Sequence, residues 1–442
     1  MTSALVSVPV PSTTPQHRPA PPLSTQSWMG LNAANFFLAE IGGVVVPFLS
    51  KYLVERGWRD GSVGVAIALG GLGVFLMQTP AGILVDRIRQ RRALLAGASI
   101  LVGLCFGLLP LLPARWIYLD PLLFLAGMSR SFFGPLLGAL ALGLAGHAGL
   151  NRLMGTAQSY DHAGNFASAL VAISLLAWLP VTSIFYTVAA VSLLAAASVF
   201  LIRAREVDEE LACGGRRKNQ PPAGFLTLLR DRRVAILFAA VALFHLANAP
   251  VMPLVGLYIA RLGGSNAQVA CVVLAAQAVM VPVAWLAGRL GERWGRKPVF
   301  AIGFFVLPLR IVLYSLTDSP WMLVALQTLD GIGAGIYGVI IVAMCADLTR
   351  GTGRFNALQG LIATALSAGG VVGPFLAGFV VQYLGFAAAF YLFAAIAAAA
   401  ALVFVLFMPE TMNSFAFSRD PEGSAMARAP LRVAAKQDGV TQ

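Results

Sequence analysis

Four residues with charged or titratable side chains lie inside long apolar runs of the 442-residue chain: Glu40, Arg130, His245 and Asp330. A charge at the centre of a bilayer-spanning helix costs about 2.5 to 3.5 kcal/mol on insertion scales, so such residues pair, face water, or both. A carboxylate that is desolvated beside an arginine can change its protonation state when its surroundings rearrange. These residue types therefore predict proton binding and release near the middle of a membrane.

A further polar stretch contains Asp161, His162 and Asn165. Asp161 and Asn165 share one helical face because they are four residues apart. A lipid-facing helix could not tolerate this face, so we expect it to look into protein or water. Asp161 is a candidate proton carrier, and His162 and Asn165 join Asn248 and Gln277 as candidate hydrogen-bonding partners of a polar substrate. Asn and Gln also serve as ordinary interhelical hydrogen-bonding residues, and the sequence leaves that alternative open.

A structural role is the alternative for the charged residues, since buried arginine–carboxylate pairs can simply hold helices together. Arg130 can pair in this way with Glu40 or with Asp161. Glu40 has a predicted depth of about 16 Å, near the midplane. For Glu40 we favour a functional role, because a carboxylate desolvated beside an arginine can change its protonation state as the cavity opens and closes. For His245 the functional and structural roles are more evenly balanced, because a lone histidine can instead bond a backbone carbonyl freed by Pro250 or Pro253.

The sequence has no pattern of a metal centre, a cofactor site or a catalytic centre. It lacks His-Glu-x-x-His, Gly-x-Ser-x-Gly and any cysteine–histidine cluster, and Cys105, Cys213, Cys271 and Cys345 lie far apart. A phosphate-binding Gly-Lys-Ser/Thr loop is also absent, which excludes pumping driven by nucleotide hydrolysis within this chain. We therefore expect no enzyme activity, no metal and no cofactor, with an ion gradient as the energy source.

The composition excludes a water-soluble fold. Hydrophobic residues make up 58% of the chain and charged residues 11%, whereas soluble domains carry about 25% charged residues. Too few polar residues are present to cover the outside of a soluble protein, and a bilayer removes that requirement. A net charge of +12 could suggest nucleic acid, but no polar domain is present to offer a binding face, so we expect none as a partner.

Apolar runs of membrane-spanning length alternate with short polar breaks, and they predict an all-α integral membrane protein with twelve spans. In the first half the spans are placed at 29–52, 62–84, 93–113, 117–146, 152–178 and 181–202. In the second half they are placed at 234–260, 265–290, 298–317, 320–348, 355–384 and 386–408. The predicted organisation is a disordered cytoplasmic tail (1–27), a first half (28–202), a cytoplasmic linker (203–233), a second half (234–408) and a cytoplasmic tail (409–442).

The distribution of basic residues predicts the orientation. Of the 31 Lys and Arg residues, 24 fall on the side that carries both tails and the linker, and five fall on the opposite side. Cytoplasmic loops carry such an excess of Lys and Arg. We therefore expect both termini in the cytoplasm, in a plasma (inner) membrane.

One loop pattern occurs twice, at an offset of 206 residues. A glycine four residues before an acid puts both on one helix face, so a neighbouring helix can approach closely at the glycine. The basic residues that follow can reach the membrane interface. The first copy, at the end of span 2, contains Gly82, Asp86 and Arg87, and the second, at the end of span 8, contains Gly288, Glu292 and Arg293.

With these motifs, the chain resembles the major facilitator superfamily, whose signature loop has the form Gly-x-x-x-Asp-Arg-x-Gly-x-Arg-Arg. Arg89 replaces the usual glycine in the first copy. The resemblance implies two pseudo-symmetric six-helix bundles with a substrate site between them, lined by spans 1, 4, 7 and 10. It also implies that the six loop residues form a conformational latch.

Span 4 carries a second point of resemblance. Arg130 and Gly134 match an Arg-x-x-x-Gly element that the family associates with proton coupling. The Gly-Pro motif of the family's drug antiporters is missing from span 5, which weakens drug antiport. Span 9 lies outside the family's cavity ring, so Arg310 is expected to be the structural ion-pair partner of Asp330.

The sequence thus predicts a secondary transporter, working by alternating access, for a small polar or amphiphilic molecule. Proton coupling is assigned to Glu40, Arg130, Asp161, Asp330 and His245. Export is favoured over proton-coupled uptake of a nutrient or metal chelate, and a monomer is expected. A membrane sensor or enzyme that kept the fold is the rival class, but the two tails are too short to form an output domain.

Overall fold

Long α-helices joined by short loops make up the computed structural model, which describes residues 23–43, 45–215 and 224–412. Helices in the first half are Thr25–Gly43, Val45–Glu55, Asp60–Arg87, Arg91–Leu108, Trp116–Arg130, Phe133–Leu176 and Thr182–Leu201. Those in the second half are Phe225–Arg230, Arg232–Asn248, Val251–Arg261, Asn266–Arg293, Arg296–Tyr314, Pro320–Leu326, Thr328–Leu348 and Phe355–Phe407. Most of the two predicted tails, and the side chain of Glu40, lie outside the described part.

Two of these helices are too long for a single membrane crossing. Phe133–Leu176 has 44 residues and Phe355–Phe407 has 53, and at about 1.5 Å per residue each far exceeds the roughly 30 Å hydrocarbon core. Each is interrupted by one glycine whose backbone angles are not helical: Gly146 has a φ of 62° and Gly385 a φ of 84°. Glycine adopts positive φ at low cost, so the chain turns at these residues and begins a new span.

The described residues contain nine apolar stretches that are long enough to cross a membrane. Trp116–Leu176 and Phe355–Phe407 hold two crossings each, and span 1 is formed by Thr25–Gly43 with Val45–Glu55. The predicted all-helical fold with twelve spans is therefore confirmed. Large apolar side chains such as Trp178, Phe375 and Leu384 are exposed on the outside, where a bilayer would cover them.

Spans 4, 7 and 10 are each built from two helices, whereas spans 2, 3, 6, 8 and 9 are each a single helix. The interruption in span 4 lies at Ser131 and Phe132, the one in span 7 at Ala249 and Pro250, and the one in span 10 at Gln327. Discontinuous helices near mid-membrane are typical of substrate and ion sites in secondary transporters.

The two halves meet where span 5 packs on span 8 and where span 2 packs on span 11. The backbones of Gly155 and Gly288 approach so closely that a side chain on either would meet the other residue's Cα. Small residues permit this approach between membrane helices. These contacts lie toward the end of the molecule that carries both copies of the loop motif and the linker, which we call the linker end.

Candidate functional site

A cavity of about 200 Å³ lies at mid-depth, mainly inside the second half. Spans 7, 9 and 10 form most of its wall, and span 5 of the first half contributes the remainder. The lining residues are Gln158, His162, Phe244, His245, Asn248, Val306, Leu307, Arg310, Leu329, Asp330, Gly333, Ala334, Tyr337 and Gly338.

The charged groups of the cavity are paired with each other. Arg310, only 2% exposed, forms an ion pair with Asp330 and donates a 2.6 Å hydrogen bond to the Oδ1 atom of Asn248. The other carboxylate oxygen of Asp330 accepts from the Nε2 atom of Gln327 at 3.2 Å. Span 9 was expected outside the cavity ring, but the long side chain of Arg310 reaches the cavity and lines it.

Three uncharged polar groups of the lining have no hydrogen-bond partner among the described residues: the Nε2 atoms of His162 and His245 and the hydroxyl of Tyr337. His162 is buried, and its Nδ1 atom is 3.2 Å from the Oε1 atom of Gln277. Gln277 therefore holds the imidazole in place and is not itself part of the lining. The ring of His245 packs edge-on against Tyr337, with centroids 4.9 Å apart.

Three predicted site residues of the first half lie away from this cavity. The Nδ2 atom of Asn165 donates to the backbone carbonyl of Asp161 at 3.1 Å and to its carboxylate at 3.3 Å. Arg130 ends the helix Trp116–Arg130 and forms no ion pair with any described residue, so the considered pairing with Asp161 is not present. The cavity thus unites His245, Asn248, Asp330 and His162 with Arg310, and leaves Asp161, Asn165 and Arg130 outside.

At the linker end, Asp86 binds the beginning of span 11 in the opposite half. Its carboxylate accepts hydrogen bonds from the backbone N–H groups of Asn356 and Ala357 at 3.0 and 2.9 Å, and from the Nδ2 atom of Asn356 at 2.9 Å. A negative charge is favourable at a helix N-terminus, where backbone N–H groups lack partners. Gly82 faces the carbonyl of Asn356 so closely that no Cβ would fit.

The second copy of the motif makes the corresponding contact in the reverse direction. Glu292 accepts a 3.0 Å hydrogen bond from the backbone N–H of Arg152, in the first turns of span 5. The side chain of Asn151 donates to the carbonyl of Gly288 at 2.8 Å. Both acids therefore bind the beginning of a helix in the other half, and the linker end is closed by this matched pair of contacts.

The basic residues of the two loops differ in burial. Arg87 and Arg293 are exposed, and neither forms an ion pair with a described residue. Arg91 and Arg296 are buried instead. Arg91 pairs with the linker residue Glu209, and Arg296 pairs with Asp347 at 3.3 Å and donates to the carbonyl of Gly291 at 2.6 Å. The sequence signal for these two was present, as arginines that directly begin spans 3 and 9.

The described part of the linker joins both halves, which the sequence did not predict. The backbone N–H of Asp208 donates to the carbonyl of Gly143 in span 4 at 2.9 Å. On the other side, the carbonyl of Ala212 accepts from the Nδ2 atom of Asn356 at 3.0 Å, and the carbonyl of Gly214 accepts from the N–H of Gly351 at 2.7 Å. Residues 208–214 are therefore an additional layer across the closed end.

Comparisons with known proteins agree with this architecture. The family model described as "MFS_1 like family" matches residues 29–393. An uncharacterized MFS-type transporter of Mycobacterium tuberculosis (strain H37Rv) is 38% identical over 394 residues, covering 87% of this chain and 93% of that protein. Multidrug resistance protein 2 of Bacillus subtilis is 28% identical over 196 residues, covering 44% of this chain and 46% of that protein.

Two solved structures share the fold. The human organic anion transporter MFSD10 superposes with a TM-score of 0.69 at 14% identity, covering 86% of this chain and 99% of that one. The transporter FucP in its outward conformation gives a TM-score of 0.67 at 15% identity, covering 87% of this chain and 100% of that one. With twelve spans, a loop motif that occurs in both halves and a family match over most of its length, the chain belongs to the MFS_1-like family of major facilitator superfamily transporters.

Proposed function

We propose that the protein is a proton-coupled secondary transporter that moves a small polar or amphiphilic molecule across the plasma (inner) membrane by alternating access. The observation that carries this proposal is the matched pair of contacts that Asp86 and Glu292 make with backbone N–H groups in the first turns of a helix of the opposite half. These contacts are polar and few, so water can replace them when the halves separate. Separation at the linker end would open the cavity to that side.

Proton coupling is assigned first to Asp330, with Arg310 as its partner. The guanidinium of Arg310 is the ion-pair partner of this carboxylate. An isolated ionised carboxylate at this depth is costly, so loss of the pair favours protonation of Asp330. His245, which lines the same cavity, and Glu40 and Asp161, which do not belong to the described lining, are further candidates.

Export is the favoured direction because two partial relatives are named for multidrug resistance, one of them as an efflux pump. They are Multidrug resistance protein 2 of Bacillus subtilis and the multi-drug resistance efflux pump PmrA homolog of Lactococcus lactis, which is 31% identical over 172 residues. This chain spans less than half of either relative's length, so they support a direction and not a substrate. The proposal includes cytoplasmic termini and a monomeric transporter.

The test is a vesicle assay that reads protons. Purified protein is reconstituted into proteoliposomes containing a pH-sensitive dye, and candidate compounds are added on either side under an imposed pH gradient. Wild-type protein should couple movement of at least one compound to a change of internal pH, whereas Asp330→Asn should not. Asp318→Asn, in a loop at the opposite end, is the matched control and should behave as wild type. Compound-dependent proton flux that persists in Asp330→Asn contradicts the assignment of coupling to this residue, and flux only in the import orientation contradicts export.

A further inference from the structure

We infer that the cavity binds an uncharged, polyhydroxylated molecule smaller than a typical drug, of the size and chemistry of a monosaccharide, polyol or nucleoside. This inference rests on the proposed function, because it identifies the cavity as the substrate site. It is carried by three features of the lining: the state of its charges, the chemistry of its unpartnered groups and its size.

The charges of the cavity are paired with each other before any ligand binds, and the Nε atom of Arg310 has no hydrogen-bond partner among the described residues. The guanidinium of Arg310 contacts both Asp330 and Asn248, and the second carboxylate oxygen of Asp330 accepts from Gln327. A substrate carboxylate or ammonium group would bring an additional charge to a site where the two existing charges already pair, and one buried charge would be left without a partner. An uncharged substrate adds no such charge.

The three polar groups of the lining without a hydrogen-bond partner are well suited to hydrogen bonds with hydroxyl groups of a ligand. The hydroxyl of Tyr337 can donate or accept, and the Nε2 atoms of His162 and His245 do either according to the tautomer of the ring. A carboxylate only accepts and an ammonium group only donates, whereas a hydroxyl does both. Since buried polar groups without partners are costly, these three favour a ligand that offers several hydroxyl groups.

The walls and the volume restrict the ligand further. At about 200 Å³ the cavity is below the range of roughly 300 to 1,000 Å³ that is usual for drug-sized ligands. Its aromatic rings pack on one another: Phe244 stacks on Tyr337 with centroids 6.0 Å apart and meets Phe304 edge-on at 5.0 Å. They do not form an open cage for a lipophilic cation, but they offer an apolar surface together with Leu307 and Leu329.

Binding is tested on the purified, detergent-solubilised protein by thermal unfolding without any gradient, because a ligand that binds the folded state raises the unfolding temperature. The probes are D-glucose, L-fucose, mannitol and uridine as uncharged compounds, L-alanine and L-glutamine as zwitterions, and tetraphenylphosphonium as a lipophilic cation. We expect a concentration-dependent rise with at least one uncharged compound. Tyr337→Phe, which removes one unpartnered hydroxyl and keeps the ring, should weaken its apparent affinity by roughly two- to tenfold.

Tyr160→Phe is the matched control, since Tyr160 lies on span 5 with its ring against Trp28, and it should leave the affinity unchanged. Stabilisation by the zwitterions or the cation alone, or by no uncharged compound, overturns the inference. The inference is also overturned if Tyr337→Phe and Tyr160→Phe weaken the ligand's effect on the unfolding temperature equally. Because this measurement uses no gradient, these outcomes are separate from the proton assay, which tests the proposed transport cycle.

Discussion

The Arg310–Asp330 pair is the residue-scale feature with the largest energetic consequence. The two side chains are 2% and 12% exposed, and they lie at a depth where hydrocarbon surrounds the protein. Burying such a pair is expensive, but removing one partner is worse because it leaves a buried charge without compensation. The pair is therefore suited to a role in which binding of a proton to Asp330 removes one of the two charges.

Breaking this pair should destabilise the protein, and removing both members should restore much of the loss. We expect Asp330→Leu and Arg310→Met each to reduce the free energy of unfolding by about 3 to 5 kcal/mol. The double variant should be substantially more stable than the sum of the single effects predicts. Thermal unfolding in detergent measures all three, and strictly additive losses would show that the two charges are not energetically coupled.

Glu40 is the other residue-scale test, and it stays a prediction from the sequence. Glu40→Gln keeps the shape of the side chain but fixes an uncharged state. We expect it to abolish gradient-driven accumulation while leaving substrate binding largely intact. Glu55→Gln, at a half-exposed residue paired with Lys51, is the control. Accumulation with wild-type pH dependence in Glu40→Gln would mean that Glu40 has a structural role and that coupling belongs to Asp330 or Asp161.

At the scale of elements, the decisive feature is that two acids bind backbone N–H groups in the first turns of a helix of the other half. The three hydrogen bonds of Asp86 and the one of Glu292 form across the interface and are lost when the halves separate. Residues 208–214 of the linker add further hydrogen bonds to both halves. These contacts stabilise the closed state, and under the proposed alternating access their loss would supply the energy difference that a population shift requires.

Asp86→Asn should shift the protein toward a state that is open at the linker end. The amide has one acceptor oxygen and no charge, and hydrogen bonds to charged groups contribute about 1.5 to 3 kcal/mol each. Loss of one such bond changes the population ratio by roughly tenfold or more. Transport should be impaired while the protein still reaches the membrane, and Glu292→Gln should have the smaller effect because fewer contacts are lost. An unchanged transport rate and affinity in Asp86→Asn would contradict a latch role.

Labelling of the Cys213 thiol can measure whether the two halves separate at the linker end. Cys213 is 3% exposed, and it lies in the linker segment between span 4 and the loop before span 11. In a variant that retains Cys213 alone among the four cysteines, maleimide labelling should be slow and should accelerate in the Asp86→Asn background. A matched variant retaining only Cys105, which is 2% exposed inside the first half, should label slowly in both backgrounds. Equal labelling of Cys213 in the two backgrounds would show that the linker segment does not move with the latch.

At the scale of the whole molecule, orientation decides which side the linker end faces. The excess of Lys and Arg on that side predicts the cytoplasm. Reporter fusions after Arg203 and after Pro409 should therefore both give a cytoplasmic signal. A periplasmic signal from either would contradict the predicted six-plus-six topology, and with it the assignment of the latch to the cytoplasmic side.

The sequence by itself determined the membrane-embedded helical fold, the twelve spans and the repeat at 206 residues. Apolar run length and local spacing decide these properties, and both are readable along the chain. It also singled out Asp330, His245, His162 and Asn248, because polar groups at membrane depth are rare and need a reason.

Only the tertiary structure decided which of these groups meet. Asp86 binds a helix 270 residues away, Arg310 reaches the cavity from a span expected outside it, and Arg91 and Arg296, instead of Arg87 and Arg293, carry the buried contacts of the loops. Such pairings depend on how helices pack and on the direction of long side chains, which no local pattern contains. The state of the molecule, closed at the linker end with a cavity at mid-depth, is likewise a property of packing between the halves, since the same spans would have the same hydropathy in either state.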